Sequence, residues 1–200
     1  MWQMSAAMMC HVKAMKRVMA YLMATPKRGL TLKPSEKWDA SKEFEFTISG
    51  FSDSDFAKEP TERKSVSGWA VFLNGAPISM RSKMQDCTTL WVTEAELVAA
   101  MACAQDMLFS MRLMEPIGLT VKKPLILTVD NKGAKDPANN WSVGGRTRHI
   151  DVRYYFLREL KESGLVQTVW QHGVHNCTNL FTKNLDGPTF RRHANVFCSE

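Results

Sequence analysis

The run PLILTVD at 124–130 limits the possible folds more than any other stretch of this chain. Its apolar residues are continuous rather than alternating, so both faces of the segment must be covered. That is the pattern of a central strand in an α/β sheet. The run ends in Asp130, followed by Asn131-Lys132-Gly133. An α/β sheet places its sites where strands leave it, and Asp is also a good helix N-cap. On this segment alone both readings of Asp130 are open.

The neighbouring segments supply the rest of such a sheet. EFTISGF (45–51) reads as a strand. GWAVFLNG (68–75) and APISMRSK (76–83) read as a hairpin turned at Asn74-Gly75. Glu94 to Leu113 is a long helix, apolar nearly all round (Ala95, Leu97, Val98, Ala99, Met101, Ala102), so it is expected to be buried on more than one side. Arg148 to Glu162 is a second, amphipathic helix stopped by Gly164. LVQTVWQ (165–171) is a last strand, and Thr178 to Asn184 a short final helix. The order implies a mixed sheet with helices on its faces. Ahead of it, Met8, Val12, Met15, Met19 and Leu22 keep helical spacing until Thr25-Pro26 ends the helix. A polar, lysine-rich stretch from Lys27 to Lys42 then reads as a linker. A lone amphipathic helix cannot bury its stripe by itself, so residues 1–42 are expected to be a fragment of a neighbouring domain or to dock on the main one, and 43–200 the main domain with a C-terminal tail.

Composition narrows the setting. A chain of 200 residues holds one full domain and part of another. The net charge of +6 favours a polyanionic partner. The five cysteines are scattered, odd in number and never spaced as CxxC, which argues for free thiols in a reducing, intracellular compartment. No continuous apolar run approaches the roughly 18 residues of a membrane span, and MWQMSAAMMC lacks the basic start of a signal peptide. No membrane partner is expected.

Three acids fall on successive core elements: Asp53 in GFSDSDF (50–56), Glu96 in TEAELVAA (93–100) and Asp130. Carboxylates bind Mg²⁺, and a pair of such ions can clamp the attacking and leaving oxygens of a phosphodiester. Asp53 is read just past its strand, with Asp55 two residues on, and either can be a turn residue. Glu94 is placed to complement the helix dipole. Glu96 precedes the buried face, where a carboxylate needs a reason such as a metal.

Jointly these segments resemble the C-terminal end of copia-type retrotransposon Pol polyproteins, the ribonuclease H domain. HVKAMKRVMAYLMATPKRGLTL (11–32) is similar to the last segment of the reverse transcriptase. GFSDSDFAKEPTERKSVSGWAVFLNGAPISMRSK (50–83) is similar to the domain's opening strands, with Phe56 where the family has Trp. TEAELVAA matches the helix whose second Glu is a metal ligand. VDNKGA (129–134), GRTRHIDVRYYFLREL (145–160) and NLFTKNL (179–185) match later motifs, with Thr178-Asn179 where the family has Ala-Asp.

The resemblance implies a ribonuclease H-like α/β fold with a five-stranded mixed sheet flanked by helices. It implies Asp53, Glu96 and Asp130 as catalytic metal ligands, with Asn179 in the fourth ligand position. It implies two Mg²⁺ ions, with Mn²⁺ as a substitute, and cleavage of the RNA strand of RNA–DNA hybrids to leave a 5′-phosphate. The remainder of a Pol polyprotein is a further implied partner. A neutral amide holds a cation less strongly than a carboxylate, so a catalytically impaired relic that binds nucleic acid is the competing expectation. Arg146, Arg148, Arg153 and Arg158 can contact phosphates without specifying bases, or form a solvated helix face. His149 and Asp151 are expected to fix packing or bind backbone. Ser65 and Ser67 bind phosphate or close a turn. His172, His175 and Cys177 are spaced too closely, with no second pair, for a zinc site; one of the histidines can instead assist product departure.

Overall fold

The computed structural model of the protein describes residues 9–35, 43–59, 61–132 and 148–199, with the backbone alone for 148–154. Two compact units emerge, 1–31 with 198–200 and 32–197. In the first, α1 (Met9–Ala24) carries no buried residue, and its Met15, Met19 and Leu22 are exposed. Thr25 closes the helix by donating its hydroxyl to the Tyr21 carbonyl at 2.8 Å. Gly29–Leu30 (β1) pairs antiparallel with Cys198–Ser199 (β9). The stretch read as a linker therefore contains a strand. Ser35, in the second unit, is also fixed, donating its hydroxyl to the Asn74 carbonyl at 2.8 Å. The end of the chain, read as a tail of the main domain, belongs to the first unit.

The second unit is built on one five-stranded mixed sheet. Its strands are β3 (Ile48–Asp55), β4 (Val66–Leu73), β5 (Ala76–Met84), β7 (Leu125–Val129) and β8 (Val166–Trp170), in the order β5-β4-β3-β7-β8. β4 is antiparallel to both β3 and β5, while β7 is parallel to both β3 and β8. β2 (Glu45–Phe46) and β6 (Thr120–Val121) form a small parallel pair. The continuous apolar run of 124–130 thus lies inside the sheet, as its pattern requires. The β4–β5 turn holds Asn74 and Gly75 at φ 47° and 81°, the left-handed pair that a two-residue hairpin demands.

α2 (Val92–Met114) packs on β3, β4 and β7 and against α3 (Arg148–Glu162). Leu97, Ala100, Cys103, Ala104, Met107 and Leu108 join Ile48, Val71, Leu125, Leu127, Leu157 and Leu160 in one core. With the turn that follows, the α2 segment (Val92–Ile117) is apolar and long enough to cross a membrane, which no continuous run in the sequence had indicated, but over half of that window is buried inside the protein. The close seat of α2 depends on Gly50, where a Cβ would stand 2.6 Å from Cys103 Sγ.

Three boundaries differ from the sequence expectation. The strand expected over 45–51 breaks at Thr47 and then runs to Asp55, so Asp53 lies inside β3 rather than past it. The final helix expected over 178–184 is a single turn, α4 (Asn179–Thr182). It is followed by α5 (Gly187–Phe197), which the sequence reading did not anticipate. α5 starts with Gly187-Pro188, residues that punctuate loops but also fit a first helical turn. Its Phe190, Ala194 and Phe197 keep helical spacing, and Phe197 packs on Phe72 and Phe181.

Candidate metal centre

Strand register brings the first two acids together. β3 and β7 pair through Ser49–Ile126, Gly50–Leu127 and Phe51–Thr128; Asp53 and Asp130 stand two residues further along each strand, on the same face. α2 crosses that face with Glu96 in its first turns. One oxygen from each of Asp53, Glu96 and Asp130 lies within 4.8 Å of the others. Asp53 and Glu96 are buried and Asp130 is half-buried. Among the described residues these three form the one such group of His, Cys, Asp or Glu side chains.

Their electrostatics are unfavourable without a counter-charge. Glu96 Oε1 accepts from the Ser54 hydroxyl at 2.8 Å and the Ser54 N–H at 3.3 Å. Its Oε2 is buried with no partner. Burial, and then the charges of Asp53 and Asp130, push the Glu96 carboxyl up to about 8. Burial and Asp53 also raise Asp130. A cluster of three oxygen donors, one with an orphaned buried oxygen, fits a hard divalent cation such as Mg²⁺ or Mn²⁺.

The segment from 172 to 183 closes the centre. Asn176 is fully buried. Its Nδ2 donates to the Ser52 carbonyl at 2.8 Å, and its Oδ1 accepts from the Thr178 hydroxyl at 2.6 Å. That cross-link seats α4 beside β3 and β4. Gly68 faces Asp53 across the ladder, and a Cβ there would lie 2.8 Å from Phe181 Cβ and 2.7 Å from Thr182 Cγ2. With α4 so close, the Thr182 hydroxyl donates to Asp53 Oδ2. The Lys183 ammonium donates to Asp53 Oδ1 at 2.8 Å and to Asn179 Oδ1 at 2.9 Å. Asn179 Nδ2 donates in turn to the Gly173 carbonyl at 2.7 Å. Burial works against the Lys183 charge, but Asp53, Asp130 and Glu96 outweigh it and raise the ammonium's pKa. At the other acid, Trp170 Nε1 donates to the Asp130 carbonyl at 2.9 Å, and Gly173 leaves only 2.9 Å between a would-be Cβ and Asp130 Oδ2.

The structure therefore groups Asp53, Glu96 and Asp130 and places Asn179 at their edge, linked through Lys183. Asp55 instead pairs with Lys58 at 2.6 Å. Glu94 is a structural acid, its Oε2 accepting the Leu90 N–H at 2.8 Å ahead of α2. Ser65 and Ser67 are buried and turned inward: Ser65 bonds Thr89 and accepts from the Ala57 N–H, and Ser67 accepts from Gln85 Nε2. Ser65 thus ties the Ala57 and Thr89 segments together, while Ser67, inside β4, anchors Gln85. His172 caps the turn after β8 by accepting the Val174 N–H. Burial pushes the Cys177 thiol up to about 12. Arg158 is exposed and paired with Glu162 at 2.7 Å. Arg146 and the side chains of Arg148, His149, Asp151 and Arg153 lie outside the described residues. Sequence reasoning missed Asn176, Thr182 and Lys183. Lys183 stands four residues after Asn179, one helical turn on, and that spacing was the available signal. A groove of about 610 Å³ between α2 and β5, lined by Trp69, Arg81, Gln85, Asp106 and Phe109, includes none of the three acids.

No protein-family model matches the chain. It is 30% identical over 173 residues to the retrovirus-related Pol polyprotein from transposon TNT 1-94 of Nicotiana tabacum, covering 86% of this chain and 12% of that one. It is 29% identical over 184 residues to the Pol polyprotein from transposon RE1 of Arabidopsis thaliana, covering 92% of this chain and 12% of that one. The chain thus spans about an eighth of the length of these relatives. Among solved structures, LC11-RNase H1 in complex with an RNA/DNA hybrid superposes with a TM-score of 0.51 at 13% identity, over 68% of this chain and 94% of that one. The chain is homologous to a segment of the retrovirus-related Pol polyproteins of plant transposons, and its sheet-bearing unit has the ribonuclease H fold.

Proposed function

We propose that the chain is the ribonuclease H segment of a retroelement polyprotein and hydrolyses the RNA strand of RNA–DNA hybrids with divalent metal ions. The observation that carries this reading is the convergence of Asp53, Glu96 and Asp130 within 4.8 Å, with a buried oxygen of Glu96 left without a partner. A divalent ion held there would lower the pKa of a bound water and offset charge on the phosphate. Glu96 would give up its proton to bind the ion, Ser54 would fix its free rotation, and Asp130 would present its half-exposed carboxylate toward the substrate side. A hybrid is read by shape and 2′-OH groups, which suits a basic chain whose named arginines need no base specificity. The rest of the polyprotein is the partner for the 1–31 unit, and the setting is intracellular.

A second reading is favoured by one specific observation. Both oxygens of Asp53 are already engaged, by Thr182 and Lys183, and the fourth ligand position is Asn179. Under that reading the chain binds hybrids but cuts them poorly. The deciding experiment is cleavage of an end-labelled RNA–DNA hybrid in Mg²⁺ and then in Mn²⁺, beside duplex DNA and duplex RNA. RNA-strand cleavage that is lost in Asp130→Asn supports the nuclease. Hybrid binding without cleavage in either ion supports the second reading. Cleavage that survives Asp130→Asn overturns the site.

A further inference from the structure

We propose that Lys183 is a built-in cation that takes the place of a second metal ion, so that this centre accepts one divalent ion rather than two. The inference rests on the metal reading above and concerns how many ions the acids hold. Asp53 is wholly buried, and each of its oxygens already accepts one hydrogen bond: Thr182 donates to Oδ2, and Lys183 bonds Oδ1 at 2.8 Å. The same ammonium bonds Asn179 Oδ1 at 2.9 Å. It therefore bridges Asp53 and Asn179, and puts a fixed positive charge on that side of the cluster. The Asn179 amide is oriented by two demands, the ammonium that needs an acceptor and the Gly173 carbonyl that takes its N–H at 2.7 Å. A carboxylate there would keep the lysine but turn an oxygen toward that carbonyl. The amide and the lysine thus work as a unit.

Charge counting gives the same answer. Three carboxylates and one ammonium leave two net negative charges, which a single divalent ion neutralises. A second ion would leave the half-buried centre positive by two charges, a state that low-dielectric surroundings penalise. Removing the lysine alone raises the pull on the one ion and frees Asp53 Oδ1, but adds no carboxylate for a second ion. Replacing Asn179 by Asp alone adds a carboxylate that Lys183 already pairs with. Making both changes leaves four carboxylates and no ammonium, enough to balance two ions.

The test is Mn²⁺ binding without nucleic acid, with free Mn²⁺ followed by electron paramagnetic resonance and folding checked by circular dichroism. The whole chain is expected to bind one ion. Lys183→Met, and Lys183→Gln as a second variant, are expected to bind one ion about tenfold or more tightly, as a coupling of ordinary size predicts. Asn179→Asp is expected to remain at one ion, and Asn179→Asp with Lys183→Met to bind two. Two ions on the unaltered chain would overturn the proposal. So would unchanged or weaker affinity in both lysine variants, because Lys183 would then be only a strut for α4. The metal reading fails separately: if Asp130→Asn does not weaken Mn²⁺ binding, or if no variant binds the ion, the acids are not a metal site at all.

Discussion

Glu96 sits in a costly environment. It needs Ser54 for one oxygen, has nothing for the other, and shares the cluster with Asp53 and Asp130. Its carboxyl is pushed up to about 8 in the folded protein, against an ordinary value of 4.5. The folded state therefore binds the proton more tightly than the unfolded chain does. Stability rises with pH only where the unfolded state holds more protons, so here the sign is the opposite. Below about pH 4 Glu96 is protonated in both states and contributes no slope. As pH rises from about 5 to about 8 the unfolded chain ionises Glu96 while the folded one resists, and metal-free stability falls. Asp130, also raised, adds a slope of the same sign at lower pH. Urea unfolding in the presence of a chelator, measured from pH 5 to 9, is expected to show this decline. Glu96→Gln is expected to flatten the upper part of it, since a neutral amide keeps the Ser54 bond and can donate to the neighbouring carboxylates. An unchanged profile in Glu96→Gln would mean the carboxyl is not held protonated. Adding Mn²⁺ should reverse the decline in the unaltered protein if the proposed site holds the ion, because an ion held there would bind the folded state alone.

The elements that deliver these residues meet at glycines. Gly68 lets α4 lie on β4 with Phe181 and Thr182 at contact distance, and Gly50 does the same for α2 on β3. Gly68→Ala meets Phe181 Cβ and the Thr178 carbonyl, which cannot swing aside as a side-chain tip can. Overpacking of this kind costs about 1–3 kcal/mol, or roughly 2–12 °C in melting temperature for a chain of this size. The expected result is that loss by thermal melting, together with a loosened Lys183–Asp53 pair. A Gly68→Ala protein as stable as the unaltered one would show that α4 is not seated as described. The sequence revealed strands and long helices because periodicity and burial are written locally: the apolar run of 124–130 and the Asn74-Gly75 turn both fold as their chemistry requires. It pointed to the three acids because each lies near the end of such an element: Asp53 near the close of β3, Glu96 in the first turns of α2 and Asp130 just after β7. It did not reveal Thr182 and Lys183 as partners of Asp53, which lie 129 and 130 residues away. Those contacts exist only through α4 docking on β4, and no local pattern encodes that. α5 was missed for a related reason, since Gly187-Pro188 reads locally as a stop.

At the scale of the whole molecule, charge governs the expected partner. The net charge is +6 although the centre concentrates three carboxylates, so the excess of lysine and arginine lies elsewhere in the chain. A hybrid attracted by that excess releases counterions as it binds, and log affinity then falls linearly with log salt, by about 0.9 per phosphate neutralised on a B-form duplex. Arg158 already has Glu162 at 2.7 Å, so its own share of that slope is expected to be small, because a paired guanidinium must give up one partner to gain another. Arg158→Ala should therefore change the slope by less than one contact. Replacing Arg146, Arg148 and Arg153 together by Ala should lower it by more. Fluorescence anisotropy of a labelled hybrid, titrated at several salt concentrations without divalent ions, measures both. If affinity hardly depends on salt, phosphate contacts are not the main attraction. If the triple variant keeps the full slope, the basic surface that meets the hybrid lies elsewhere on the molecule and the arginines of 146–158 are a solvated face.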